Sequence, residues 1–414
     1  MRKFRIGFLV ILIVIVSLCA FSACNKREED ELIVWWPSGK VMSDIMNDAL
    51  NEYKAQNPNA KIKIVNKPID AFDAYRYALN DPKTCPDLAI LDHVYVQALA
   101  HDGLLQSMTE LGSDDIKALY PEMVYNANTY NGRAYALPFS ANTVVLMFNK
   151  DILKKCGIVD KAGNAKAPTT IDELIADCEI IKSKGYTAFA QPQNSFSAME
   201  FASYVARRGG KLVSDDYKTP YINSAEVKKA AEDWRALSKF ASSKSYEEDK
   251  FYTGQVAFVE MGSWALSKVT GQSARFDLGV SEIVTIKSGI PNYSGLGLYS
   301  LCISNSSKLK KEAYDFAKFL STNKKVQIAY NKAQNLFPVC KEALNDEYYT
   351  SSPILSVYAS QLEKVAPRPG TPAWPDMEQA IVNMLVEIVR TDGDFTPILD
   401  KYQALVAEAT DRLF

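Results

Sequence analysis

The chain has 414 residues, 47% hydrophobic and 23% charged, with 47 basic against 49 acidic side chains and a formal net charge of −2. That balance excludes the strong basic excess of a nucleic-acid-binding surface. The composition is that of a globular protein, and the length exceeds the ~100–200 residues of one simple domain.

The N-terminus fixes the compartment. Residues 1–5 carry positive charges at Arg2, Lys3 and Arg5, an apolar run covers 6–20, and Phe21-Ser22-Ala23-Cys24 follows. A basic start, an apolar stretch and small residues before a cleavage point make a secretory signal, here residues 1–23. Cys24 after two small residues looks like a bacterial lipobox, in which the thiol is acylated and becomes the first mature residue. Phe21 stands where Leu is usual, and Cys19 is a poor alternative because bulky Leu18 precedes it. The charged run that follows makes residues 24–31 a solvated, lipidated tether. The alternative is an uncleaved anchor over 4–23, just long enough to span a bilayer. Either way the rest of the chain lies outside the cytoplasm. The cysteines beyond Cys24, at 85, 156, 178, 302 and 340, are odd in number and widely spaced, so they read as buried small hydrophobes rather than a disulfide framework.

The first strand is Leu32-Ile33-Val34-Trp35-Trp36, closed by the turn Pro37-Ser38-Gly39. A helix starts near residue 41, with Val41, Ile45, Ala49 and Tyr53 recurring every four residues until Pro58 stops it. Ile62 and Ile64 alternate with lysines as a second strand, residues 71–79 form a helix, and Leu88-Ala89-Ile90-Leu91 is a third, apolar strand. This β-α-β-α-β order predicts an α/β fold with parallel strands covered by helices. Such sheets bind ligands at the carboxyl ends of their strands, and residues 36–40 and Asp92-His93 stand at two such ends. Further on, 132–138 read as a turn and short strand, and 143–148 as a strong strand. Thr170-Ile171-Asp172-Glu173 is a capping box opening a helix that runs to Gly185. Residues 224–241 form an amphipathic helix, and 255–259 a strand ending in Met261-Gly262-Ser263-Trp264. A glycine-rich stretch and strand occupy 295–303. Residues 308–320 place Ala313, Phe316, Ala317 and Leu320 on one helical face. The last quarter is helical over 354–365, 376–390 and 397–413, with a proline-dense loop over 367–375.

In this order, these segments resemble the family 1 extracellular solute-binding proteins, the maltose-binding-protein-like sugar receptors of ABC importers. The resemblance rests on Ile33-Val34-Trp35-Trp36, Pro86-Asp87-Leu88-Ala89-Ile90-Leu91-Asp92, Gly103-Leu104-Leu105, and Gly132-Arg133-Ala134-Tyr135-Ala136-Leu137-Pro138. It continues through Phe148-Asn149-Lys150-Asp151, Gly254-Gln255-Val256-Ala257-Phe258 with Gly262-Ser263-Trp264, and Ile303-Ser304-Asn305. It covers essentially the whole chain, and the order of the segments carries it. It implies a two-lobe periplasmic-binding-protein fold, type II-like, hinged on strands that cross near 140–142, 297–301 and 337–340. One lobe is then 32–140 plus 301–337 and the other 142–297 plus 340–414, with the ligand in the cleft and closure a hinge motion. Gly295 and Gly297 suit a segment that bends or approaches a ligand closely, or mark an ordinary loop. The implied partners are a small sugar ligand, the permease subunits of an ABC importer and the membrane through the lipid anchor. No nucleic acid and no cofactor are expected, and the chain is expected to act as a monomer.

A sugar site needs a flat aromatic surface plus fixed donors and acceptors. Trp234 sits among apolar residues at helical spacing and reads as core. Trp264 and Trp374 match cleft aromatics of the family. Trp35 and Trp36 are adjacent on a strand and point to opposite faces, so at least one is structural, and Trp36 is nearer the strand end. Lys40 is a ligand group or a solvated lysine. Asp92 is a ligand group or the cap of the next helix, and His93 beside it has a binding or a structural role. Asn142 lies in the first crossing, where an amide can bridge both lobes. Asn194 sits in a loop after a strand and is weaker. Arg368 reaches hydroxyls with a preorganised fork or pairs with an acid.

His93 and His101 are the only histidines. The chain has no HExxH, no Walker A loop and no GxSxG, and its histidines and cysteines lack metal-ligand spacing. The expected function is therefore binding without catalysis. The alternatives are a receptor for a polyamine or betaine, or for a phosphorylated polyol with Lys40 and Arg368 as anchors, and then a surface carbohydrate-active enzyme, because carboxylate pairs for glycoside hydrolysis are not visible in sequence.

Overall fold

The computed structural model describes residues 30–67, 72–81, 85–192, 194–241, 248–366 and 368–413. The signal segment, Cys24 and the tether up to residue 29 lie outside the described residues. Within them the strands are β1 Leu32–Pro37, β2 Ile62–Lys67, β3 Leu88–Asp92, β4 Thr129–Tyr130, β5 Arg133–Ala134, β6 Ala136–Asn149, β7 Thr187–Ala190, β8 Val256–Gly262, β9 Leu278–Ser281, β10 Ser294–Ile303, β11 Phe337–Pro338 and β12 Val365–Ala366. β1 pairs in parallel with β2 and β3, as alternating strands and helices require. β10 then joins antiparallel to β3, and β6 antiparallel to β10. The main sheet runs β2-β1-β3-β10-β6-β8-β7, with β9 and β11 also on β6 and β12 on β10.

β6 holds this sheet together. All 14 of its residues are buried. Up to Thr143 it pairs with β10, and from Val144 it pairs with β8 and then β9. A strand covered on both faces must be apolar nearly throughout, and its side chains alternate between faces. Leu146 and Phe148 thus enter one core, and Val145 and Met147 another. The polar exceptions need partners: Ser140 donates to Asn331 at 2.6 Å, and Thr143 to Ser294 at 3.0 Å.

The same alternation settles the tryptophan pair on β1. Trp36 joins Leu32 and Val34 in one core, while Trp35 packs on the other face with Leu91 and Leu99. Trp36 is 1% exposed. Its indole N–H donates to the Met42 carbonyl at 3.1 Å, and its ring meets Phe139 and Tyr330 edge-on at 5.5 and 5.4 Å. Trp36 is therefore core, which corrects its expected place in a ligand cleft. Met42 of helix Lys40–Gln56 and Tyr330 of helix Lys324–Gln334 cover this end of β1.

Two helices depart from expectation in phase or start. Helix Lys40–Gln56 buries Met42, Met46, Ala49, Leu50 and Tyr53, and Val41 is exposed. A strict four-residue repeat drifts about 40° per step on a helix of 3.6 residues per turn, so Val41 and Tyr53 cannot share a face. The penultimate helix runs Trp374–Arg390 and begins two residues earlier than expected. Thr170 caps helix Ile171–Ser183 as its motif requires, and Ala313, Phe316, Ala317 and Leu320 are buried together. The five described cysteines are all free and buried.

Replacing a fully packed indole removes both transfer energy and contacts. Trp36→Ala should destabilise the protein by about 3–5 kcal/mol in denaturant unfolding. Lys40→Ala, at an exposed position, should stay within about 0.5 kcal/mol.

Candidate functional site

Where β3, β6, β8 and β10 come together, a cavity of about 310 Å³ opens between Asp92, Asn142, Trp264, Arg368 and Glu378. Asp92 is the last residue of β3, and Asn142 lies in β6 directly opposite Gly297 of β10. A methyl group on Gly297 would overlap the Asn142 amide, so only glycine leaves room for that side chain to lie over the strand. Among the described residues the amide has no hydrogen-bond partner, and it lines the cavity. Trp264 follows β8 in a short 3-10 turn, Ser263–Ala265. Its indole folds back over Gly262, where a Cβ would collide with the ring. Helix Ser195–Arg207 supplies Phe196 and Met199, one turn apart, to the same wall. Phe196 meets Trp264 edge-on at 5.6 Å and 90°.

Charge is concentrated on one side. One Arg368 amino group donates to both Asp92 oxygens at 3.0 and 2.9 Å, and the other lies 3.8 Å from Glu378. His93 Nδ1 is 2.9 Å from Asp92 and 3.3 Å from the Leu298 carbonyl. A nitrogen between two acceptors carries the proton, so the ring is the Nδ1–H tautomer and burial keeps it neutral by lowering its pKa. Burial alone would raise the Asp92 pKa, but the Arg368 charge and the His93 hydrogen bond outweigh it and hold the carboxyl well below the usual carboxylate range. Glu378 is pushed up, by burial first, with Arg368 offsetting in part. One guanidinium thus serves two carboxylates, and Asp92 takes most of it.

The structure brings Asp92, Asn142, Trp264 and Arg368 together at this cavity and moves the other expected residues away. Trp374 is 0% exposed in the core. As the first residue of its helix it turns inward, which corrects its reading as a platform. Lys40 is exposed and pairs with Asp44 at 2.7 Å one turn along its own helix. His93 is 1% exposed and orients Asp92 from behind. Asn194 caps helix Ser195–Arg207, accepting from the Phe196 N–H at 3.0 Å. Asp92 combines both of its readings, since it also accepts from the Val94 N–H at 3.3 Å.

Sequence reasoning missed Glu378, Phe196, Met199 and Tyr299. Glu378 carried no usable signal, since Trp374, one turn earlier on the same helix, is core. Phe196 and Met199 carried none, because an apolar pair one turn apart reads as core.

Residues 48–357 match the bacterial extracellular solute-binding proteins, and the chain belongs to that family. Over 90% of its length it is 25% identical to the maltotriose-binding protein of Pyrococcus abyssi, covering 81% of that protein. It is 22% identical to the galactooligosaccharide-binding protein of Bacillus subtilis, over 92% of this chain and 89% of the other. The crystal structure of the cyclic alpha-maltosyl-1,6-maltose binding protein from Arthrobacter globiformis superposes with a TM-score of 0.80 at 22% identity, covering 92% of this chain and 99% of that one. The fold is the two-lobe α/β arrangement of the maltose-binding proteins, and the family places the chain outside the cytoplasm.

Because the folded-state pKa of Asp92 is depressed, its pairing stabilises the protein above the unfolded value near 4 and is lost as pH falls toward the folded value. The stability gap between wild type and Asp92→Asn, read by denaturant unfolding, should be largest above about pH 4 and should shrink as the pH is lowered further.

Proposed function

We propose that this chain is a lipid-anchored receptor that binds a sugar or oligosaccharide in the Trp264–Arg368 cavity and delivers it to the permease of an ABC importer. The observation that carries this reading is an indole facing a cluster of carboxylate, guanidinium and amide groups across a small cavity. A pyranose has an apolar C–H face to lay on the ring and hydroxyls to bridge the polar side. The named relatives that bind maltotriose and galactooligosaccharides support the same class. A cationic ligand would meet the Arg368 guanidinium, and an anionic one would meet Asp92 and Glu378 with Lys40 out of reach. A neutral, hydroxyl-rich ligand fits both.

In this reading the lobes are 32–140 plus 301–337 and 142–297 plus 340–414. Asp92 then belongs to the first lobe, and Trp264, Arg368 and Glu378 to the second. A sugar gains its full set of contacts only when both lobes reach it, so it shifts the population toward the closed form, which the importer recognises. Binding leaves the ligand unchanged, and transport energy comes from a separate ATPase. Cys24 holds the receptor to the outer face of the cell membrane.

Trp264→Ala should weaken binding of the preferred sugar by about 1–3 kcal/mol, the cost of a lost stacking face and its buried area. Calorimetry on the best ligand from a thermal-shift screen of mono- and oligosaccharides checks this, and unchanged affinity would remove Trp264 from the site. Cys24→Ser should abolish incorporation of labelled palmitate in cells, and continued labelling would refute the anchor.

A further inference from the structure

Arg368 has a second face. Beyond it lies another cavity, of about 590 Å³, lined by Val205, Leu212, Val213, Ile290, Tyr217 and Tyr293. Both cavities share Arg368 and one helical wall. Helix Ser195–Arg207 presents Phe196 and Met199 to the first, and Ala202, Val205 and Ala206 to the second. Ten residue-to-residue steps at 1.5 Å each make that wall about 15 Å long, much longer than one sugar ring.

The two cavities differ in chemistry. The first carries two carboxylates, a guanidinium and an amide. In the second, Lys211 and Asp215 pair with each other at 2.6 Å at the exposed end, and the Arg368 fork is turned toward Asp92. The rest of the wall is mostly aliphatic, with the Tyr217 and Tyr293 rings and Ser214, whose hydroxyl is already engaged with Asp216 and the Thr219 N–H. Each hydroxyl of a buried sugar ring needs a partner, because a polar group taken out of water without one is costly. The side-chain hydroxyls left on this wall, those of Tyr217 and Tyr293, are fewer than the hydroxyls of a second pyranose ring.

We infer that the second cavity receives a hydroxyl-poor group attached to the sugar in the first, so that the physiological ligand is a glycoside with an aryl aglycone. The inference rests on the sugar-binding reading above. A phenyl ring linked through a glycosidic oxygen passes Arg368 and lies between Tyr217 and Tyr293 against the aliphatic wall.

Calorimetry with matched methyl and phenyl glycosides of glucose, galactose, N-acetylglucosamine and maltose tests this. For the sugar that binds, the phenyl glycoside should bind at least tenfold tighter than the methyl one. Ala206→Trp fills the second cavity from the helix surface and should abolish that advantage, leaving the methyl glycoside unaffected. Ile290→Asp, in a loop, repeats the test should the tryptophan variant fail to fold. Equal affinities in the wild type, or an advantage that survives both substitutions, would overturn the inference while leaving the sugar site intact. Binding of no glycoside at all would defeat the sugar reading and this inference with it.

Discussion

The candidate site depends on one ion pair. Asp92 ends a strand near the N-terminus and Arg368 sits in a loop near the C-terminus, yet the guanidinium grips both carboxylate oxygens at a site where Arg368 is only 8% exposed. In this conformation the pair pins the loop before helix Trp374–Arg390 to the end of β3, and substituting one partner would leave the other poorly solvated. That pin positions Glu378 beside the same arginine, sets the depressed pKa of Asp92, and divides a polar cavity from an apolar one. His93 reinforces it from below.

The wall shared by the two cavities is anchored separately. Helix Ser195–Arg207 turns Arg207 into the core, where it is fully buried, donates to Glu260 of β8 at 3.3 and 3.4 Å and lies over the Tyr204 ring at 4.1 Å. Glu200, two turns earlier, is buried in the same cluster, and burial raises its pKa well above the ordinary value. The cleft-facing side of this helix is thereby held against the strand that ends at Gly262 and leads into Trp264.

Much of the architecture was legible in the sequence because periodicity and capping are local signals. The capping box at Thr170, the apolar strand at Leu88, and the buried stripe through Ala313, Phe316, Ala317 and Leu320 all fold as their patterns require. The site was legible only in part. Asp92, Asn142, Trp264 and Arg368 stood out because polar or bulky residues at strand ends and in crossings are unusual for a core. Trp36 and Trp374 stood out equally and are core, since nothing local distinguishes an indole covered by a distant helix from one facing a cavity. Glu378, Met199 and the second cavity depend on which helices pack side by side, a tertiary fact that no local pattern encodes.

The burial pattern also provides a direct probe. Trp35, Trp36, Trp234 and Trp374 are each at most 8% exposed, whereas Trp264 is only partly buried and lines the polar cavity. Acrylamide quenching of tryptophan fluorescence therefore reports chiefly on Trp264. If a sugar covers this indole, a saturating ligand found by thermal shift should suppress quenching in the wild type and change nothing in Trp264→Phe. A sugar that raises the melting temperature yet leaves wild-type quenching unchanged would contradict the account.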